Sequence, residues 1–371
     1  MIGDLDEQGL YVGRVWTEAG PSLVTIRDGL VVDITTAAAP TMRDLLECDD
    51  IPAFVAGVAG EVLGGVDDVA ARGLLAPCDL QAIKACGVTF ARSMVERVIE
   101  ERAAGDAGRA MAIRERIAAV IGDSLRGLVP GTAQAADVKA VLQAEGLWSQ
   151  YLEVGIGPDA EVFTKGAPMS AVGHGADVGL HPISRWNNPE PEVVLAVDSQ
   201  GRIRGATLGN DVNLRDVEGR SALLLGKAKD NNASAAIGPF VRVFDRGFTL
   251  DHVRQAEVSL RVEGEDGFVM QGRSSMAEIS RDPADLVAQT RGRHHQYPDG
   301  FMLYCGTMFA PVQDRDGPGQ GFTHHLGDVV TVSAPGLGAL RNVVRLSTDC
   351  PEWVFGTAAL MRNLAACGLL Q

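Results

Sequence analysis

Alternating apolar and polar residues mark the first part of the chain. The segments "LYVGRVW" and "PSLVTIRDGLVVDI", within residues 10–34, have the period of two that is typical of strands. With the short turns between them, they predict a small antiparallel sheet. From about residue 40 to 80 the sequence becomes rich in Ala and Leu, and the pattern favours helices.

The pattern changes twice more along the chain. "VTFARSMVERVIEERAAGDAGRAMAIRERIAAVIGDSL" has the periodicity of two helices, broken near Gly105 and Gly108. After residue 150, strands, turns and Gly/Asp-rich loops continue to about 345, and "FGTAALMRNLAACGLL" predicts a closing helix. The predicted fold class is α+β. We expect a small α/β domain at 1–80, a helical segment and connection at 81–150, and a β-rich domain at 151–371.

Composition and charge limit the possible partners. The chain has 371 residues, 46% of them hydrophobic, and a formal net charge of −15. Such a surface repels phosphate groups, so we expect no nucleic-acid partner and no acidic membrane. No uninterrupted run of eighteen apolar residues and no basic-then-apolar leader is seen. The six cysteines form no CxxC pair, which favours buried free thiols in a cytoplasmic protein.

Three carboxylates lie where two predicted strands meet. In "NNPEPEVVLAVDSQGRIRGATLGNDVNLRD", Glu190 and Glu192 share one face of a strand, because side chains two residues apart point the same way. Folding the hairpin about "DSQG" places Asp211 beside Glu190, about 5 Å away by the spacing of strands. A solvated strand edge explains this pattern, and so does a site for a hard cation, with Mg²⁺ favoured over Mn²⁺ and Ca²⁺.

Several segments resemble one known family. In order along the chain they are "EVFTKGAPMSAVG", "PEPEVVLAV", "GATLGNDVNLRD", "LLLGKAKDNNASAAIGP" and "GTMFAPVQDRDGPGQGFTHHLGDVVTV". They are similar to the core of the fumarylacetoacetate hydrolase superfamily. The resemblance covers most of residues 83–345 and implies a mixed β-sandwich roll with the catalytic site in the C-terminal domain.

The resemblance implies roles for individual residues. Glu190, Glu192 and Asp211 match the family's divalent metal ligands, and the register to "IGP" places Lys229 on its catalytic lysine. The positions that match substrate-binding residues are Thr307, Arg215, Asn210 and Lys165.

One position departs from the family's hydrolases. Their "NYxxHxxE" segment uses His and Glu to activate water, and "GVTFARSMVE" has Ser93 in place of the His and keeps the Glu as Glu96. A serine hydroxyl is no general base near neutral pH without a base of its own. The segment is like the branch that dehydrates 2-keto-3-deoxy sugar acids, where Ser93 would contact substrate.

The predicted activity is therefore a metal-dependent dehydratase of a 2-keto-3-deoxy-pentonate, with 2-oxoglutarate semialdehyde as product. Glu96 or Lys229 would remove the C3 proton, and a cation beside Lys229 would depress its pKa. Two alternatives stay open: a C–C hydrolase or decarboxylase of acylpyruvates or diketo acids, and a non-catalytic sugar-acid binding protein.

The remaining predictions concern histidines and assembly. His294 and His295, like His324 and His325, are adjacent pairs, and neighbouring side chains in an extended chain point to opposite faces. Positions in surface loops or at the substrate rim are favoured over metal binding. On the family pattern we expect a homodimer or homotetramer that binds a small-molecule 2-keto acid.

Overall fold

The computed structural model describes residues 2–104, 106, 108–110, 128–144, 146, 148–309 and 311–370, with the backbone alone at 91–93. Its strands are, in chain order, β1 (Tyr11–Thr17), β2 (Gly20–Arg27), β3 (Leu30–Asp33), β4 (Glu61–Gly65), β5 (Ala82–Gly87), β6 (Glu161–Gly166), β7 (Asp177–Leu180), β8 (Pro191–Val197), β9 (Ile203–Asp211), β10 (Ala235–Val243), β11 (Glu257–Glu263), β12 (Val269–Ser275), β13 (Phe301–Tyr304), β14 (Val329–Ala334) and β15 (Gly338–Leu346).

Short helices lie between the strands. The described helices are α1 (Met42–Glu47), α2 (Ile51–Gly57), α3 (Val66–Ala70), α4 (Ala91–Ala103), α5 (Ala133–Ala144), α6 (Gln150–Ile156), α7 (Arg215–Glu218), α8 (Leu225–Lys229), α9 (Leu250–Arg254), α10 (Pro283–Thr290) and α11 (Thr357–Ala366). None of them is long and apolar enough to cross a lipid bilayer.

The strands of the described residues form two sheets. The larger has the order β4-β3-β2-β1-β10-β9-β8-β13-β5-β6, and the smaller has the order β12-β11-β14-β15-β7. Most neighbours are antiparallel, but β13 with β5 and β15 with β7 are parallel, so both sheets are mixed. The α+β class is confirmed.

The larger sheet separates two apolar layers. Because side chains alternate along a strand, Val193 and Leu195 of β8 face the smaller sheet, with Leu260 and Val332 in the same core. Val194 of β8 belongs to the opposite layer. That layer also contains Leu45 and Leu46 of α1 and Val55 of α2.

The N-terminal strands are part of the larger sheet. The predicted antiparallel arrangement of residues 10–34 is confirmed as β1, β2 and β3. Strand β1 pairs with β10, with Tyr11 opposite Arg242. Residues 40–80 contain α1, α2 and α3 but also β4, so the helical prediction is right in part. The proposed division at 80 and 150 stays a prediction.

A helical layer covers one end of the larger sheet. Val98 and Ile99 of α4 pack against Leu152 and Ile156 of α6, with Leu142 of α5 in the same cluster. Helix α4 confirms the first of the two helices predicted after residue 88. The second falls largely on residues 111–127, which lie outside the described residues.

The tyrosine of β1 provides a test of how the N-terminal strand joins the rest. The Tyr11 hydroxyl is buried, donates to the Gly336 carbonyl at 2.6 Å and accepts from Asp6 N at 2.9 Å. We expect Tyr11→Phe to lower the free energy of unfolding by about 1–3 kcal/mol, because two polar groups lose their partner. Urea denaturation measures this. Tyr297→Phe, at a half-buried tyrosine, is the control; equal losses would contradict the role of Tyr11.

Candidate active site

Three buried carboxylates meet at the end of the β8–β9 hairpin. Pro191 pairs with Asn210, and Asp211 N donates to the Glu190 carbonyl at 3.0 Å. Glu190, Glu192 and Asp211 are each at most 1% exposed, and one oxygen from each lies within 4.8 Å of the others. The predicted register and the shared face of the two glutamates are therefore confirmed. A solvated strand edge, the alternative interpretation, is wrong because these groups are buried.

Two lysines neutralise part of this charge. Lys229, the last residue of α8, donates to Glu190 Oε2 and, at 3.0 Å, to Asp211 Oδ2. Lys165 of β6 lies with its Nζ 2.7 Å from Asp211 Oδ1 and donates to the Val212 carbonyl at 3.1 Å. The structure thus brings both predicted lysines to the carboxylates.

An arginine that the sequence analysis did not identify also contacts the carboxylates. Arg97 of α4 donates through Nη2 to Glu190 Oε1. Its Nη1 donates to Glu100 Oε2 at 2.7 Å and lies 3.0 Å from Glu218 Oε2. The segment "ERVIEER" has the charge pattern of a solvated helix face, so no local signal identified Arg97.

The donor set fits a hard divalent cation. Carboxylate oxygens are the ligands that such ions prefer. Three of them converge here, and the Lys229 ammonium group already lies between Glu190 and Asp211. When all are ionised, the five buried carboxylates of this region outnumber its four buried cations, so a bound cation would offset the excess negative charge. The carboxylates are those of Glu100, Glu190, Glu192, Asp211 and Glu218, and the cations are Arg97, Lys165, Arg215 and Lys229.

Glu190 and Glu192 differ in their tendency to ionise. Burial opposes ionisation of Glu190, but Arg97 and Lys229 outweigh it and lower its pKa to about 2. Burial, Asp211 and Glu190 together raise the pKa of Glu192 well above its ordinary value. Ionisation is therefore favoured at Glu190 and disfavoured at Glu192.

The expected depression of the Lys229 pKa is not found in this arrangement. Burial lowers the pKa, but Asp211 and Glu190 outweigh it and raise the pKa of Lys229 above its ordinary value. The prediction assumed a cation next to the lysine, whereas the ammonium group here faces carboxylates. Lys165 differs, since burial exceeds the effect of Asp211 and its pKa is lowered.

Glu161 is a second residue that sequence reasoning missed. In β6, Glu161, Phe163 and Lys165 alternate onto one face, and Lys229 Nζ lies 5.8 Å from the centre of the Phe163 ring. Burial, with the charge of Glu218, raises the pKa of Glu161 to about 7. The signal was available, because "EVFTK" places Glu161 in the same alternation as Lys165.

Two other predicted residues support the ligands. Gly306 N donates to Glu192 Oε2 at 2.6 Å, and the Thr307 hydroxyl donates to Glu192 Oε1 at 3.4 Å. Asn210 Oδ1 accepts from Glu190 N at 3.0 Å. Both Thr307 and Asn210 are buried at the site, and their predicted contact with substrate stays a prediction.

The remaining predicted residues lie in α4 or contact it. Arg215 is buried, with its Nε 3.1 Å from Glu100 Oε1, and it donates to the Pro311 carbonyl at 3.1 Å. Glu96 is half-buried one turn before Glu100, and its charge acts on Arg215. Ser93 lies in α4, where only its backbone is described. Its predicted role therefore stays a prediction.

The histidine pairs differ from each other. His294 and His295 are exposed, as predicted. His324 is buried, with its Nδ1 3.0 Å from Asp328 Oδ2, so a surface position is wrong for this residue. His325 is half-exposed. None of the four is part of the carboxylate cluster that the described residues form.

The prediction of buried free thiols is right in part. All six cysteines are free thiols. Four of them are buried, namely Cys78, Cys86, Cys305 and Cys350.

The different ionisation of Glu190 and Glu192 should give different losses of stability when each is replaced in protein without metal. We expect Glu190→Gln to lower the free energy of unfolding by about 3–5 kcal/mol, because it leaves Arg97 and Lys229 buried without their shared charge. Glu192→Gln is the matched control and should cost less, since burial and the neighbouring carboxylates disfavour ionisation of Glu192. Chemical denaturation in the presence of a chelator gives both values. Equal destabilisation by the two substitutions would contradict this assignment of charge.

Curated relatives resemble about half of this chain. A protein of Haloferax volcanii named probable 2-keto-3-deoxyxylonate dehydratase is 30% identical over 194 residues, which are 52% of this chain and 63% of the relative. A 2-dehydro-3-deoxy-D-arabinonate dehydratase of Saccharolobus solfataricus is 28% identical over 185 residues, 50% of this chain and 58% of the relative. The match thus spans less than two thirds of either relative.

The fold is shared more widely than the sequence. The solved structure of 2-keto-3-deoxy-D-arabinonate dehydratase complexed with magnesium and 2,5-dioxopentanoate has a TM-score of 0.61 at 19% identity, with 91% of this chain and 99% of that chain covered. At this identity the likeness shows the fold alone. The fumarylacetoacetate hydrolase C-terminal family matches residues 149–345, which include the three carboxylates and both lysines. The resemblance seen in the sequence is thereby confirmed, and the chain belongs to the fumarylacetoacetate hydrolase family.

Proposed function

We propose that this protein is a metal-dependent dehydratase that converts a 2-keto-3-deoxy-pentonate to 2,5-dioxopentanoate, which is 2-oxoglutarate semialdehyde. The observation that carries the proposal is the buried cluster of Glu190, Glu192 and Asp211 with Lys229 at its centre. The names of the curated relatives support the same substrate class. Glu190, Glu192 and Asp211 would hold the ion, with Mg²⁺ as the proposed one.

The cation would supply electrophilic stabilisation of negative charge on the substrate's C2 oxygen. That stabilisation makes a C3 hydrogen acidic enough for a side chain to remove. Removal of the C3 proton and departure of the C4 hydroxyl as water leave a C3–C4 double bond. A proton then leaves C5 and another is added at C3, and the resulting C4–C5 enol tautomerises to the aldehyde. The only net loss is one water molecule.

Two side chains are suited to assist this elimination. Glu161 has a pKa of about 7, so its carboxylate form is available near neutral pH as the base at C3. The raised pKa of Lys229 keeps this side chain charged, so it is suited to stabilise the departing C4 hydroxyl as a hydrogen-bond donor. Both lie on the face of the sheet that bears the carboxylates. This assignment replaces Glu96 with Glu161 as the preferred base.

Elimination, unlike hydrolysis, needs no activated water. The position at which the family's hydrolases have a histidine is Ser93. Two histidines are buried among the described residues: His324 is bonded to Asp328, and His174 Nδ1 lies 2.8 Å from the Ala339 carbonyl oxygen. Neither is placed to activate water at the carboxylate cluster. These positions favour the dehydratase over the C–C hydrolase.

Substrate turnover tests the proposal directly. We expect the protein to release 2,5-dioxopentanoate from 2-keto-3-deoxy-pentonates, to lose this activity with a chelator, and to regain it with Mg²⁺ or Mn²⁺. A coupled semialdehyde dehydrogenase measures the product. Acylpyruvates should be left intact. Cleavage of acylpyruvates with no action on the sugar acids would favour the hydrolase, and metal-dependent binding of sugar acids without turnover would favour a binding protein.

The pH profile tests the role of Glu161. Since the base must be ionised, kcat/KM should rise with pH through about 7, the pKa of this group. Glu161→Gln should lower kcat by about a hundredfold or more and remove that rise. Glu263→Gln, on β11 of the smaller sheet, is the control for the loss of a glutamate. A Glu161→Gln enzyme that keeps the wild-type pH profile would rule out this base.

A further inference from the structure

Both carboxylate oxygens of Glu190 are held by cations from different elements. Arg97 of α4 donates to Oε1, and Lys229 of α8 donates to Oε2. The side chain is fully enclosed, so its orientation is fixed by these two contacts together with the backbone at the head of β8.

The two oxygens of Glu190 face different surroundings. Lys229 Nζ is bonded to Glu190 Oε2 and to Asp211 Oδ2 at once, so Oε2 borders the space that the carboxylates share. Oε1 is directed to Arg97 and hence to the carboxylates of Glu100 and Glu218. Of the two, Oε2 is the oxygen that shares Lys229 with Asp211.

Arg97 itself has little freedom to move. Its Nη1 is held by Glu100 on its own helix and by Glu218 of α7, while Nη2 is left for Glu190. A planar guanidinium fixed in this way presents its donors in one direction, which a lysine would not do. The backbone positions of α4, α7 and β8 are thereby coupled through one side chain.

We propose that Arg97 is a positioning residue that restricts Glu190 to binding the ion through one oxygen, Oε2. This rests on the proposed function. A Mg²⁺-type ion accepts about six ligands in octahedral geometry. With each of Glu190, Glu192 and Asp211 giving one oxygen, enough positions stay open for the two oxygens of a 2-keto acid. Of the three open positions, a Glu190 free to use both oxygens would fill the third, which a water molecule would otherwise occupy.

Mn²⁺ provides a probe that needs no substrate. Water-proton relaxation of Mn²⁺ bound to the full-length protein reports how many water molecules the ion keeps. We expect Arg97→Met, which keeps the side-chain length and removes the donors, to lower this number by about one, on the octahedral count of six. Mn²⁺ affinity should be retained or increased, because a positive charge is removed and an oxygen is added.

Activity should change in the opposite direction. We expect Arg97→Met to raise KM for the sugar acid and to lower kcat/KM by about tenfold or more, the range seen when a partner of a metal ligand is lost. Arg102→Met is the matched control, since Arg102 is exposed on the same helix and contacts only the Gly146 carbonyl among the described residues. This variant should match the wild type in relaxation and in turnover.

Two further variants test the proposal if Arg97→Met does not fold. The double variant Arg97→Met/Glu218→Gln removes one charge of each sign, and Glu218→Gln alone keeps the contact between Arg97 and Glu190. The double variant should show the lower number of bound waters, and the single variant the wild-type number. An unchanged or larger number without Arg97 overturns the proposal, whatever turnover does. Absence of sugar-acid turnover in the wild type would instead refute the proposed function.

Discussion

The ion pairs on Glu190 are the interaction on which this end of the sheet depends. Three carboxylates at the head of one hairpin, shielded from water, repel one another strongly because the surrounding dielectric is low. Arg97 and Lys229 offset that repulsion at the same glutamate, one at each oxygen. Since these cations come from α4 and α8, the balance of charge also determines where both helices lie against β8.

The alternation of side chains along the strands explains why the site is in this place. The face of the larger sheet that carries Val194 and Ala196 is apolar under α1 and α2. The same face, continued to the ends of β8 and β9, carries Glu192 and Asp211 instead. The apolar layer keeps water from one side of the carboxylates, so each cation beside them acts more strongly than it would at a surface. Core and site are therefore two parts of one face.

Local patterns predicted the local geometry of the site. The period of two in β8 and the turn at "DSQG" were enough to place Asp211 beside Glu190, since a hairpin register follows from the positions of its strands and turn. The family resemblance supplied Lys165 and Lys229, whose partners no local pattern reveals. Helices and strands that the pattern marked clearly, such as α4 and β1–β3, were also found.

Residues that act across long distances in sequence were harder to predict. Arg97 lies in a helix whose charges read as solvated, and only the packing of α4 on the hairpin buries it. Glu161 has an ordinary position at the start of an edge strand, and its raised pKa comes from the neighbours that tertiary structure brings. The surface position predicted for His324 was wrong for a related reason. This residue is buried beside Asp328, in a loop with few apolar residues.

The site is complete only when several elements have packed onto the β8–β9 hairpin. Glu190 and Asp211 are brought together by a hairpin of about twenty residues, whereas Arg97, Lys165 and Lys229 reach them only when α4, β6 and α8 have docked. The hairpin's own cations, Arg202 and Arg204, lie beside Asp198 near the turn, so a hairpin formed alone has no cation beside these carboxylates. The compensating charges are therefore available only in the complete fold, and the same contacts that stabilise the docked elements produce the arrangement of Glu190, Glu161 and Lys229 that catalysis would use.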